Sequence, residues 1–227
     1  MTYQEVIDTL QELANPENVA GMAKFGIAST NTLGISMPEI RNLAKVIKKD
    51  HDLAIQLWES GFHEARILAA LIAEPKKLTV ETMDKWVQDF DSWDVCDQAC
   101  MNLLDKSEPA IEKIPEWAAD EREFVRRTAF SMIAAISVHQ KKMDDSEFLR
   151  YFDIIRACAT DERNFVKKAV NWALRAIGKR SHFLRENAID FCLRLIEENP
   201  QSKSARWIAN DALRELKDEK IIARIKR

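Results

Sequence analysis

Apolar residues recur along this chain at intervals of three and four, the period of helices that bury one side. The first such stretch covers residues 3–13, Asn15-Pro16 interrupts it, and a second helix is expected over 19–25. Residues 26–33 read as a loop. Ser36-Met37-Pro38-Glu39 has the form of a capping box with proline in the first turn, so 38–48 is predicted helical, with Ile40, Leu43, Ala44 and Ile47 inward. Beyond it the predicted helices come in pairs: 53–58 with 63–73, 79–90 with 93–104, 108–117 with 123–138, 145–157 with 164–178, and 183–197 with 202–216. A short helix over 219–227 is expected to cap the end.

One internal copy explains the pairing. Asp120-Glu121-Arg122-Glu123-Phe124-Val125-Arg126-Arg127 returns, nearly unchanged, as Asp161-Glu162-Arg163-Asn164-Phe165-Val166-Lys167-Lys168, 41 residues later (165 − 124). A period of about 40 to 47 residues is that of HEAT-like and armadillo helix pairs, units too small to bury their apolar faces without neighbours. The expected fold is therefore all-α: a right-handed α-α superhelix of HEAT-like repeats with a concave binding face, formed as one domain over residues 1–227.

Composition supports helices and restricts the chemistry. Only 5 Gly and 6 Pro occur among 227 residues, and no Gly/Ser-rich or Pro-rich linker divides the chain. The amino-terminal residues lack a basic and then apolar leader, and no apolar run of about 18 residues occurs. A soluble, cytoplasmic monomer without membrane contact is expected. The 4 cysteines, Cys96, Cys100, Cys158 and Cys192, form no CxxC pair and have no clustered histidine, which suggests buried thiols rather than disulfides or zinc. His63, His139 and His182 have no Ser, Cys or second His at matching spacing, so they read as structural or solvated. No phosphate loop, HExxH helix or kinase signature is present, and no metal or cofactor is implied.

Net charge is −3, mildly unfavourable for binding nucleic acid, but its distribution matters more than its sum. Aligning the second helix of successive pairs places Arg66, Asp97, Arg127 and Lys168 at equivalent positions, separated by 31, 30 and 41 residues. One acid among three cations would face a common surface. Trp93 precedes Asp97 by four residues, and Lys168 precedes Trp172 by four, so each pair shares a helical face. A carboxylate between indoles, with Arg127 near, would suit a cationic, sugar-like transition state. Helix packing by the tryptophans and a first-turn role for Asp94 account for the same spacing without catalysis.

Four segments, in order, then make a resemblance specific. They are Gly34-Ile35-Ser36-Met37-Pro38-Glu39-Ile40-Arg41-Asn42-Leu43-Ala44-Lys45, Trp93-Asp94-Val95-Cys96-Asp97, Arg126-Arg127-Thr128-Ala129, and Lys167-Lys168-Ala169-Val170-Asn171-Trp172-Ala173-Leu174-Arg175. Together they resemble the AlkD-type DNA alkylation repair glycosylases over nearly the whole chain. The resemblance implies a HEAT-like enzyme that excises N3- and N7-alkylated purines from double-stranded DNA without metal or cofactor. It implies Asp97 as catalytic carboxylate, Trp93 and Trp172 as the aromatic pair at the lesion, and Arg127 as the phosphate contact. Arg175 and Lys179 match further DNA-facing basic positions, and Phe25 stands where relatives can carry a DNA-contacting tyrosine. Ser92 replaces a tryptophan that can precede Trp93. Arg66 and Lys168 are added as DNA-binding residues on repeat equivalence. The alternative is a non-catalytic scaffold that binds DNA or a protein on the same face.

Overall fold

Two units of packed helices make up the chain in its computed structural model, Met1–Ala110 and a second from Ile111 onward. The structure describes residues 1–27 and 31–225. Part of the predicted loop 26–33 and the end of the predicted helix 219–227 lie outside the described residues. Every regular element among the described residues is helical.

The first unit contains α1 (Tyr3–Glu12), α2 (Pro16–Ala23), α3 (Met37–Ile47), α4 (His51–Glu59), α5 (His63–Ile72), α6 (Val80–Gln88) and α7 (Trp93–Asn102). Asn15-Pro16 is a helix start as well as a stop. The Asn15 side chain accepts the Glu17 and Asn18 N–H groups, and Pro16 takes the first-turn position that needs no donor. The Ser36/Glu39 capping box forms as predicted. At the centre runs α5, packed against α3, α4 and α7, with Ala65, Ile67, Leu68, Ala69 and Ala70 all buried. Its small alanines let neighbouring helices approach closely.

Glu64 on α5 is fully buried, and its carboxylate gathers three backbone donors: Leu33 N–H at 2.8 Å, Gly34 N–H at 2.6 Å and Ile35 N–H at 3.3 Å. A buried charge is tolerated only when hydrogen-bonded in this way. It fixes the segment that leads into α3. Nearby, the Trp58 and Trp86 rings stack at 4.0 Å and 3°, and the Trp58 indole donates to Asp89 at 3.0 Å.

The helix α8 (Glu108–Glu112) precedes α9 (Ile114–Ala119), α10 (Glu123–His139), α11 (Arg150–Cys158), α12 (Asn164–Gly178), α13 (His182–Glu198), α14 (Lys203–Leu216) and α15 (Glu219–Ile222). The predicted helix 108–117 is thus two helices. Pro115 lacks the N–H that a continuous helix would use, and the chain restarts with proline in the first turn of α9. The predicted helix 145–157 begins with a 3-10 turn, Asp145–Leu149, before α11. All four cysteines are buried free thiols, and burial pushes Cys192 up to about 12.

The copied segment has a structural purpose. Phe124 and Phe165, at matching repeat positions, meet at 5.5 Å between ring centres as α10 packs on α12. Asp120 and Asp161 each accept the backbone N–H two residues on and pair with that residue's guanidinium, Arg122 or Arg163. Each aspartate so fastens the turn that enters a long helix. Asp161 also receives Arg126 at 2.8 Å, tying one repeat to the next.

Burial alone would raise the Asp161 pKa, but hydrogen bonds from Arg163 and Arg126 outweigh it and hold the carboxyl at about 2, below its ordinary 3.8. A depressed folded value means that the stabilisation is full above about pH 4 and disappears as pH falls toward 2. Asp161→Asn is expected to lower stability by about 2 kcal/mol at neutral pH. In acid titrations followed by circular dichroism, parent and variant should converge below about pH 3; an equal gap at every pH would refute the assignment.

Candidate nucleic-acid interface

Helix α7 begins directly at Trp93, following the buried Ser92. The Trp93 ring is half-buried, and its Nε1–H donates to the Phe25 carbonyl at 3.0 Å, so the end of α2 and the start of α7 are joined by an indole. Phe25 itself presents its ring outward at 71% exposure. One turn beyond Trp93 comes Asp97, half-buried, on the same helical face. The predicted juxtaposition of indole and carboxylate on α7 is present.

Beside Trp93 a cleft of about 520 Å³ opens among α2, α3, α5 and α7, with Met22, Phe25, Ile35 and Trp93 among its walls and His63, Glu64 and Asp94 also lining it. The sequence reading missed its chemistry. His63, taken as structural or solvated, is 2% exposed and its Nε2 lies 2.8 Å from Asp94 Oδ2. Burial opposes charge on both, yet the mutual hydrogen bond prevails. It holds His63 above its ordinary value and Asp94 below. The pair is separated by 31 residues, the same offset that aligns Arg66 with Asp97, so repeat alignment was the signal that could have revealed it.

Arg66 does not lie open beside Asp97 as a DNA-facing cation. Its guanidinium sits 5.5 Å over the Trp58 ring, donates to the Asp89 carbonyl at 3.0 Å and approaches Asp91 at 3.6 Å. The long stem and planar head are used to cover an indole, a common use of arginine at a helix junction. The expectation of a free cation there is corrected.

In the second unit, Lys168 is exposed and Trp172, one turn later on the same face of α12, is half-buried. Arg127 on α10 is only 5% exposed, and its Nη1–H donates to the Phe165 carbonyl at 2.6 Å. A surface guanidinium was expected; the structure holds a buried one in a fixed orientation. Arg175 and Lys179 were read as open basic positions, and here too the structure corrects the picture. Arg175 pairs with Glu215 at 2.6 Å and Lys179 with the other oxygen of Glu215 at 2.7 Å. Burial opposes ionisation of Glu215, but these two cations hold its carboxyl below its usual value. A phosphate at either position must compete with a carboxylate already in place.

Among the described residues no group of three or more His, Cys, Asp or Glu is placed to hold a metal ion, and no helix is long and apolar enough to cross a membrane. The side chains that gather at the start of α7 are aromatic rings, carboxylates and one imidazole.

Comparison with known proteins agrees with the helical architecture. The chain is 24% identical over 196 residues to the uncharacterized protein Lin0241 of Listeria innocua, and 22% identical over 196 residues to the uncharacterized protein Lmo0209 of Listeria monocytogenes; each match covers 84% of both partners. A solved structure, described as belonging to "a new family of proteins related to the HEAT-like repeat DNA glycosylases with affinity for branched DNA structures", superposes with a TM-score of 0.75. It covers 85% of this chain and 82% of its own at 20% identity, which establishes the HEAT-like fold. The sequence profile of DNA alkylation repair enzymes matches residues 6–216. With nearly its whole length matched, the chain belongs to the DNA alkylation repair enzyme family.

Proposed function

We propose that the protein is a monofunctional DNA glycosylase that hydrolyses the N-glycosidic bond of N3- or N7-alkylated purines in duplex DNA. The observation that carries this reading is Asp97 one turn after Trp93 on α7, in a chain whose family is that of DNA alkylation repair enzymes. Alkylation at N3 or N7 makes the purine cationic, so the base departs neutral and needs no strong acid. What the reaction needs is an anion for the sugar as it becomes oxocarbenium-like. Asp97 supplies that anion and positions the attacking water. Trp93 and Trp172 offer electron-rich faces to the cationic centre. Arg127 holds a phosphate, Lys168 adds charge, and the Phe25 ring packs against the DNA backbone. Arg175 and Lys179 join only where DNA displaces Glu215.

Incubating the protein with a duplex that contains N7-methylguanine, with mass-spectrometric detection of free base, tests this reading. Release supports it. Tight binding of junction DNA with no release would favour the second reading, a non-catalytic binder of branched DNA, which draws on the affinity described for the structural neighbour and on the carboxylate already held by Arg175 and Lys179.

The phosphate role of Arg127 carries its own prediction. Arg127→Ala should weaken binding to every duplex sequence alike and reduce the slope of log affinity against log salt by about one, because a phosphate contact releases counterions without reading bases. A folded variant with an unaltered slope removes Arg127 from the interface.

A further inference from the structure

The cleft at the start of α7 has walls that a phosphate would avoid. Phe25, Met22 and Trp93 give it aromatic and apolar surface, while Glu17, Glu64 and Asp94 contribute carboxylates, and neither lysine nor arginine lines it. Its volume, about 520 Å³, lies in the range of small-molecule sites. One buried polar atom points to a ligand: His63 is 2% exposed, and its Nδ1 has no hydrogen-bond partner among the described residues, while Nε2 is committed to Asp94. Gly21, also on the lining, faces open space, since a Cβ built there meets nothing within 4 Å.

We propose that this cleft is a binding site for the ring of an N-methylated, positively charged purine nucleoside. The aromatic walls suit a flat ring, cation–π attraction to Phe25 and Trp93 favours a charged one, and the carboxylates neutralise it without a competing basic side chain. Oxygen or nitrogen on the purine edge meets His63 Nδ1. A neutral purine gains the stacking and loses the charge terms. The choice of purine rests on the alkylated-DNA reading above; the preference for a flat cation rests on the cleft alone.

Calorimetric titration with 7-methylguanosine, at mildly acidic pH where the methylated ring is cationic, tests the site, with guanosine as its neutral twin. The expected result is saturable binding, about tenfold tighter for the methylated nucleoside. Gly21→Leu places a side chain in the open space while replacing a helix glycine with a better helix former, so the variant should fold. It should weaken 7-methylguanosine by about tenfold or more, as filling a site does. Asp94→Asn keeps the shape and removes the charge, and should bring 7-methylguanosine down to the level of guanosine. Absence of saturable binding, equal affinity for both nucleosides, or unchanged binding by a folded Gly21→Leu variant would each overturn the proposal. Base release from methylated duplex is measured alongside. Nucleoside binding without base release leaves the cleft standing and removes the glycosylase reading.

Discussion

An Asp97→Asn variant is expected to release N7-methylguanine from duplex DNA at least about a hundredfold more slowly than the parent protein, with little change in affinity for the duplex. The substitution keeps the size and hydrogen-bonding reach of the side chain and removes its negative charge. Because the methylated base already carries the positive charge that makes it a good leaving group, no proton donor is left to lose. The whole effect should fall on stabilisation of the sugar cation and on orientation of water, and so on the rate of the chemical step. Asp97 is half-buried on α7, where a charge interacts more strongly than in bulk water. Single-turnover kinetics with protein in excess separate this step from binding. A variant slowed only through weaker binding would assign Asp97 to DNA contact and leave catalysis to another group.

The second large effect concerns stability. Gly34 has φ of 78°, a left-handed conformation that glycine adopts without strain. A Cβ there would stand 2.2 Å from the Asn15 carbonyl oxygen and 3.0 Å from a Val19 methyl group. Backbone cannot yield as a flexible side chain would, and both polar groups of Gly34 are engaged. Its N–H donates to buried Glu64 at 2.6 Å and its carbonyl accepts from the Asn18 side chain at 2.9 Å. Gly34→Ala therefore combines an unfavourable φ with displacement of the segment that Glu64 organises. A loss of at least about 3 kcal/mol is expected, seen as a fall in the thermal midpoint on the order of 10 °C. Alanine at Gly21, where nothing is within 4 Å, should leave the midpoint unchanged or raise it. Equal behaviour of the two variants would contradict the role given to Gly34.

These residues also show what a sequence discloses and what it conceals. Local signals were legible. The Ser36/Glu39 box starts α3, and α12 spans Asn164–Gly178 as its periodicity predicts. The four-residue step from Trp93 to Asp97 places both on one face because helical geometry alone decides it. Proline was read too simply. At Asn15-Pro16 and again at Pro115 it opens a helix, and whether a proline stops or starts one depends on the cap beside it. Charge was the least legible property. Glu215 follows Lys179 by 36 residues and Arg175 by 40, so nothing near α12 announces that its cations are already paired. His63 and Asp94 likewise belong to different helices, and Arg66 is drawn to Trp58 by packing that no periodicity encodes.

The measurement closest to the central claim follows a single N7-methylguanine in a defined duplex under excess protein, counting freed base and abasic sites together. The proposed mechanism predicts one intact abasic site for each base released, at a rate well above spontaneous depurination in matched buffer. A rate no greater than the spontaneous one, with the duplex demonstrably bound, would contradict it.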